Sequence, residues 1–245
     1  MRSLERAIDV LEVLDTSHHA LRLSDIARRA GLPVATTQRI LSVLEARGRV
    51  ERDATGYRPG VGLIFGAHAY LTSSPLLAAA RPVLQDLAAE TGLTASLFKR
   101  IGWVRAVLAR VDGARPLRYE LPIGERMPLH LGAGKALAAG MDADELGRFL
   151  DQLTDPANAD GTGFDRDRFL ADLKRIRDLG YSQARGEREP GMASVAAPVP
   201  DPEPGGAPTA AVQVSGNQED IPAERVEQLG VEVRRAAFAI GRRAF

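Results

Sequence analysis

The sequence predicts an α+β chain. An N-terminal winged helix-turn-helix domain is expected over residues 1–60 and a linker helix over 61–73. A larger domain over 74–245 is expected to carry one antiparallel sheet flanked by helices. Three observations predict this. Residues 23–57, LSDIARRAGLPVATTQRILSVLEARGRVERDATGY, set two short amphipathic segments either side of Gly31 and follow them with a turn-forming DATG between two strand-like runs. Beyond Gly92 the periodicity changes from helical to strand-like and later alternates between the two. With 245 residues and 44% hydrophobic content, the chain is long and apolar enough for one large or two ordinary cores.

The first helix is expected from a Ser3 cap, with Leu4, Ala7, Ile8, Leu11 and Leu14 on its apolar stripe. His18-His19-Ala20 reads as a loop, and no third ligand lies near this histidine pair. Ser24 is the expected cap of the second helix, where Asp25 suits the positive end of the dipole. Ile26, Ala27 and Ala30 give this helix an apolar face, and Gly31 ends it. Pro33 fits the first turn of a third helix. At 100° per residue, Thr37, Ile40, Leu41 and Leu44 share one side of that helix. Ala35, Gln38, Arg39 and Ser42 share the other, with Thr36 at the boundary. Gln pairs with adenine and Arg with guanine in a major groove, so the polar side is the candidate reading face. Strand, turn and strand over 49–58 make the wing, with Arg52 and Arg58 placed to reach phosphates.

Leu63, Ile64, Ala67 and Leu71 recur at helical spacing over 63–72. Ser74-Pro75 opens the next helix, which Gly92 stops. Strands are expected over 94–100, 104–111 and 115–122, the first two joined at Ile101-Gly102. Helices follow over 130–139 and 142–150, the latter capped by Asp142. A loop covers 154–163, and an amphipathic helix over 166–179 ends at Gly180. Strands over 181–187, 192–199 and 208–215, with a hairpin loop at 202–206, precede a closing helix over 222–245.

Composition excludes several classes. No apolar run approaches the roughly 20 residues a membrane span needs. The first residues carry acids and lack an apolar signal core. The absence of cysteine excludes disulfides and thiolate metal sites and fits a reducing cytoplasm, the expected location. Formal net charge is zero, and residues 1–60 hold ten Arg against eight acids. A DNA footprint must therefore come from placement, not bulk charge. Gly132-Ala133-Gly134-Lys135-Ala136 is not a phosphate loop: Leu129 stands where the first Gly belongs and Ala136 replaces the Mg²⁺-binding hydroxyl. No nucleophile elbow, dinucleotide fingerprint or metal-ligand spacing occurs, and no cofactor is expected.

Read in order, SLERAIDVLEVL, LSDIARRAGLPVATTQRILSVLEARGRVERD, GYRPG, MPLHLGAGKALAAG, LGYSQARGEREPGMASVAAPV and VQVSG resemble the IclR-type transcriptional regulators over nearly the whole chain. The resemblance implies a C-terminal domain of GAF-like fold that binds a small organic acid or aromatic effector. It also implies a homodimer or dimer of dimers on double-stranded DNA, and more often repression than activation. Matching by motif, it implies an effector site at Gly132, Ala133, Ala184, Met192, Ser194, Gln213 and Ser215. Members often carry Asp where Ala184 stands, Cys or Ser at position 194, and Ser where Gln213 stands.

The residues themselves agree in kind. Amides after Gly132 at a helix start attract a carboxylate, and Ser194, Gln213 and Ser215 supply hydrogen bonds in an apolar cavity. The expected function is a ligand-responsive, sequence-specific DNA-binding regulator without catalysis, paired through its first helix and linker. Two other readings share parts of the pattern. One is a metabolite-binding enzyme using His130, the other a protein-interaction adaptor whose winged domain binds protein instead of DNA.

Overall fold

The computed structural model describes residues 2–115, 121–153, 163–201 and 206–244. They fall into two compact units, Met1–Ser73 and Ser74–Phe245. The first contains helices α1 (Arg2–Asp15), α2 (Leu23–Arg29) and α3 (Val34–Ala46), strands β1 (Val50–Arg52) and β2 (Tyr57–Pro59), and helix α4 (Leu63–Ser73). Val10, Leu14, Leu21, Ile26, Leu41, Val50 and Tyr57 make its core.

Two expected caps are not used. α1 is already helical at Arg2, so Ser3 lies inside it. α2 starts from Arg22, not Ser24, and no side chain caps it. The cause is a two-way bridge: Leu21 and Tyr57 exchange backbone hydrogen bonds of 2.8 Å each. This holds the chain extended up to Leu21, and the Arg22 carbonyl then accepts from Asp25 and Ile26. Pro33 is the N-cap of α3 and not part of its first turn. Gly31, at φ 63, turns the chain between the two helices. The inward stripe of α1 is also shifted. Val10 and Leu14 are buried, whereas Leu4 and Ile8 are exposed.

The junction from wing to α4 is stitched by backbone. Gly60 N donates to Arg49 O at 2.8 Å, Gly62 N donates to Gly48 O at 2.9 Å, and the Arg49 guanidinium donates to Gly62 O. A β-carbon at Gly60 would lie 2.4 Å from the Gly48 carbonyl oxygen, so only glycine permits this approach.

The second unit is a six-stranded antiparallel sheet in the order β5-β4-β3-β8-β7-β6. Its elements are α5 (Pro75–Thr91), β3 (Thr94–Ile101), β4 (Val104–Val111), β5 (Arg126–Pro128), α6 (Ala133–Ala138), α7 (Ala143–Gln152), α8 (Arg166–Leu179), β6 (Ser182–Arg185), β7 (Met192–Val199), β8 (Ala210–Asn217), a 3₁₀ turn (Ala223–Arg225) and α9 (Val226–Ala244). Successive β7 residues Val195, Ala196 and Ala197 are all buried, so the central strands are covered on both faces. α5 and α9 pack on each other and on the central strands. Phe98, Val107, Ala196 and Ala211 share a second core with Leu137 of α6, Phe149 of α7, and Phe169 and Leu173 of α8.

Side-chain caps occur where expected at Ser74 and Asp142, and Asp165 adds a third. The short β5 takes the edge of the sheet beside β4. Of the strand expected over 115–122, residues 116–120 lie outside the described residues, as do 154–162 and 202–205 of the expected loops. The helix expected from His130 begins only at Ala133, because Gly132 at φ 53 and ψ −126 breaks it. The last strand runs two residues later than expected, over Ala210–Asn217.

Candidate functional site

In the first unit the candidate reading face is the outer side of α3. Thr37 and Leu41 are wholly buried. Thr37 Oγ1 also donates to the Pro33 carbonyl at 3.2 Å, which fixes the start of the helix. Ala35, Gln38, Arg39 and Ser42 are exposed, and Thr36 is half-buried between the two sides. Ser42 Oγ donates back to Gln38 O at 3.0 Å. Arg39 has no ion-pair or hydrogen-bond partner among the described residues, so its guanidinium is open to solvent and to any approaching base.

The wing arginines are placed differently. The Arg52 guanidinium lies 5.2 Å from the centre of the Tyr57 ring. Arg58 is held by acids, with Nη1 2.7 Å from Asp53 Oδ2 and Nε 3.5 Å from Glu51 Oε2. The Thr55 hydroxyl, the Thr55 amide and Arg58 together hold the Asp53 carboxyl below its ordinary range, so Asp53 is ionised at neutral pH.

In the second unit the strand register builds the other site. Ala184, Ser194 and Ser215 stand opposite one another across β6, β7 and β8. Gln213, two residues before Ser215, and Ser194, two before Ala196, share the sheet face of the α6–α8 core. Arg105, two before Val107, joins them from β4, paired with Met127 of β5. Together with Gly132 and Met192 they line one cavity that is partly open to solvent.

Six of the seven effector candidates, Gly132, Ala184, Met192, Ser194, Gln213 and Ser215, thus line one cavity. Ala133 does not. Its side chain is wholly buried in the core beside Phe98 and Leu137, because the loop turns at Gly132 and sends the next residue inward.

The amide of Gly132 itself, just before the amides expected to attract an anion, is already taken. Glu187 Oε2 accepts from Gly132 N at 2.9 Å, and Glu187 Oε1 pairs with Lys135 Nζ. Lys135 is only 4% exposed, and its ammonium also reaches Asp172 Oδ2 at 2.9 Å. Two carboxylates therefore hold one buried ammonium, and the loop is closed by the protein's own acid.

Arg105 was not among the sequence candidates. It is 1% exposed, and Nη1 donates to the carbonyls of Pro128 and Leu131. Burial foremost, then the nearby Arg188, pushes its guanidinium down to about 9, opposed by Glu187. It remains charged at neutral pH. His130, only 8% exposed, has neither ring nitrogen paired and stacks edge-on against Phe164 with centroids 5.7 Å apart. Burial, then Arg105, pushes its imidazole down to about 4, so it is neutral at pH 7. It lies outside the cavity lining.

No single helix among the described residues is long and apolar enough to cross a membrane, and no group of metal-ligating side chains occurs among them.

Residues 3–54 match the IclR helix-turn-helix domain, and residues 68–242 match the bacterial transcriptional regulator IclR C-terminal domain. The chain is 35% identical over 219 residues to the HTH-type transcriptional regulator BhcR of Paracoccus denitrificans, covering 88% of this chain and 77% of that protein. It is 30% identical over 239 residues to the HTH-type transcriptional repressor AllR of Escherichia coli, covering 96% and 88%. Its fold resembles the crystal structure of an IclR homolog from Microbacterium hydrocarbonoxydans complexed with 4-hydroxybenzoate. The TM-score is 0.74 at 24% identity, over 99% of this chain and 98% of that one.

Proposed function

Because this chain belongs to the IclR family of bacterial transcriptional regulators, we propose that it is a repressor that reads operator DNA through α3 and is released by a small carboxylate-bearing effector. The observation that carries the reading is the free guanidinium of Arg39 beside Gln38, on a helix whose other side is clamped by buried Thr37 and Leu41. A reading helix needs fixed geometry behind and unspent donors in front. The cavity of the second unit supports the effector half of the proposal. A 4-hydroxybenzoate molecule in the Microbacterium homolog points the same way, toward small acids.

The protein acts as a homodimer. One α3 contacts too few base pairs to specify an operator, and two related copies reading half-sites double the count. The exposed apolar residues of α1 and α4 supply the pairing surface: Leu4 and Ile8 on the first, Ile64, Phe65 and Tyr70 on the second. Binding energy reaches the DNA as a coupling free energy, the effector favouring one dimer arrangement over another. It does so without turnover, in the cytoplasm.

Selection of random duplexes by the purified chain, followed by gel shifts with titrated small acids, tests this reading. The expected result is an enriched two-fold symmetric sequence whose complex dissociates on adding an acid. Enrichment of no sequence would overturn the DNA half, and a complex indifferent to every acid tried would overturn the effector half.

A further inference from the structure

The polar end of the cavity holds a cation with unspent donors. Arg105 Nη1 is committed to two backbone carbonyls, which fix the plane of the guanidinium. The Phe98 ring lies below it, 5.1 Å from its central carbon. Its Nε is buried and has no partner. Its Nη2 lies 3.5 Å from the point where a β-carbon on Gly132 would sit. Gln213 Oε1 is also 3.5 Å from that point, and Ser194 Oγ is 3.8 Å from it. Three polar groups from three strands thus converge on one spot that only the missing side chain of Gly132 leaves open. Among the described residues no carboxylate lies within ion-pair distance of Arg105. Glu187, which lines the same cavity, is spent on the Gly132 amide and Lys135.

We infer that Arg105 is the residue that selects the effector's charge, its Nε–Nη2 edge taking the carboxylate while Gln213 and Ser194 take the polar group beside it. This rests on the reading of the second unit as an effector-binding domain. A buried guanidinium without an anion is costly, and a planar carboxylate matches its two-donor edge. The side chain is already immobilised, so little conformational entropy is lost on binding. The amides after Gly132 cannot do this work, since Gly134 N and Lys135 N already donate to the Leu131 and Gly132 carbonyls and α6 is only six residues long. A purely structural arginine, tying Pro128 to Leu131, would make no distinction between an acid and its amide.

The test is calorimetric titration of the full-length protein with acetate, pyruvate, succinate and 4-hydroxybenzoate, each beside its own amide. Wild type is compared with Arg105→Lys, Arg105→Met and Ala184→Phe. The expected result is that at least one acid binds and its amide does not. Arg105→Lys should weaken that acid about tenfold or more, since an ammonium keeps the charge but not the fork. Arg105→Met should abolish binding. Should Arg105→Met fail to fold by circular dichroism, Arg105→Lys decides. Ala184→Phe fills the cavity without touching Arg105. If it abolishes acid binding while both Arg105 variants bind like wild type, the cavity stands and the assignment of Arg105 falls. If amides bind as well as acids, the assignment falls too. If neither acid nor amide binds, the effector reading falls with it.

Discussion

Arg39 and Arg58 are both exposed arginines of the first unit, and their partners separate their roles. Arg39→Ala should cost about 1–3 kcal/mol on the selected operator and relax the preference at one base pair. Arg58 already shares its charge with Asp53 and Glu51. Arg58→Ala should therefore lower the salt slope of binding by less than the roughly 0.9 unit of a free phosphate contact, equally on any sequence. Gel shifts on operator and random duplexes at several salt concentrations separate the two, and equal losses would refute the division. His130 gives a pH signature. Between pH about 4 and the ordinary 6.5 the unfolded chain binds a proton that the folded imidazole refuses. Stability from this residue is thus complete above pH about 6.5 and is lost as pH falls toward 4, by on the order of 3 kcal/mol. The wild-type urea midpoint should fall relative to that of His130→Phe as pH drops through that window; parallel curves would contradict it. Helical periodicity made the outer face of α3 legible from sequence, since burial follows angle. Arg105 was not legible. In VRAVLARV the strand parity alone does not say which face is inward, and only pairing with Met127 and the Val107 core resolves it.

At the scale of the element, α4 is the anomaly. It has no buried residue, yet Ile64 and Phe65 are 62% and 73% exposed. Phe65→Asp should raise the dimer dissociation constant by about tenfold or more and weaken operator binding in parallel. Sedimentation and gel shifts read both, and a variant that stays dimeric would place the interface elsewhere. α6 offers a second test. A β-carbon at Gly134 would lie 2.3 Å from Arg105 Nη1 and 2.5 Å from the Leu129 carbonyl oxygen. Gly134→Ala should therefore destabilise the second unit by roughly 1–3 kcal/mol in chemical denaturation. Helix stops and the hairpin at Ile101-Gly102 were legible because glycine marks them. The starts of α1 and α2 were not. Ser24 has the right chemistry for a cap, but the distant Tyr57 pairs with Leu21 and resets the start. β5 was likewise missed, since three residues carry too little periodicity to register.

Across the whole molecule, each unit has its own core, and the one tryptophan, Trp103, sits in the second, 5.9 Å from Phe149. Its fluorescence therefore reports the unfolding of that unit. An acid at about 100 times its Kd should stabilise the Trp103 transition by about 2.7 kcal/mol, and its amide should not move it. A transition that ignores a bound acid would place the ligand elsewhere. The first unit raises a mechanical matter. The stitches among Gly48, Arg49, Gly60 and Gly62 leave no play between the foot of α4 and the tail of α3. The pair is expected to turn like a gear train with little backlash, a rotation applied to α4 reaching α3 through these hydrogen bonds. One methyl group at position 60 would force the Gly48 carbonyl aside and put slack into that train, so a Gly60→Ala protein could keep its effector and its operator yet fail to pass the signal from one to the other.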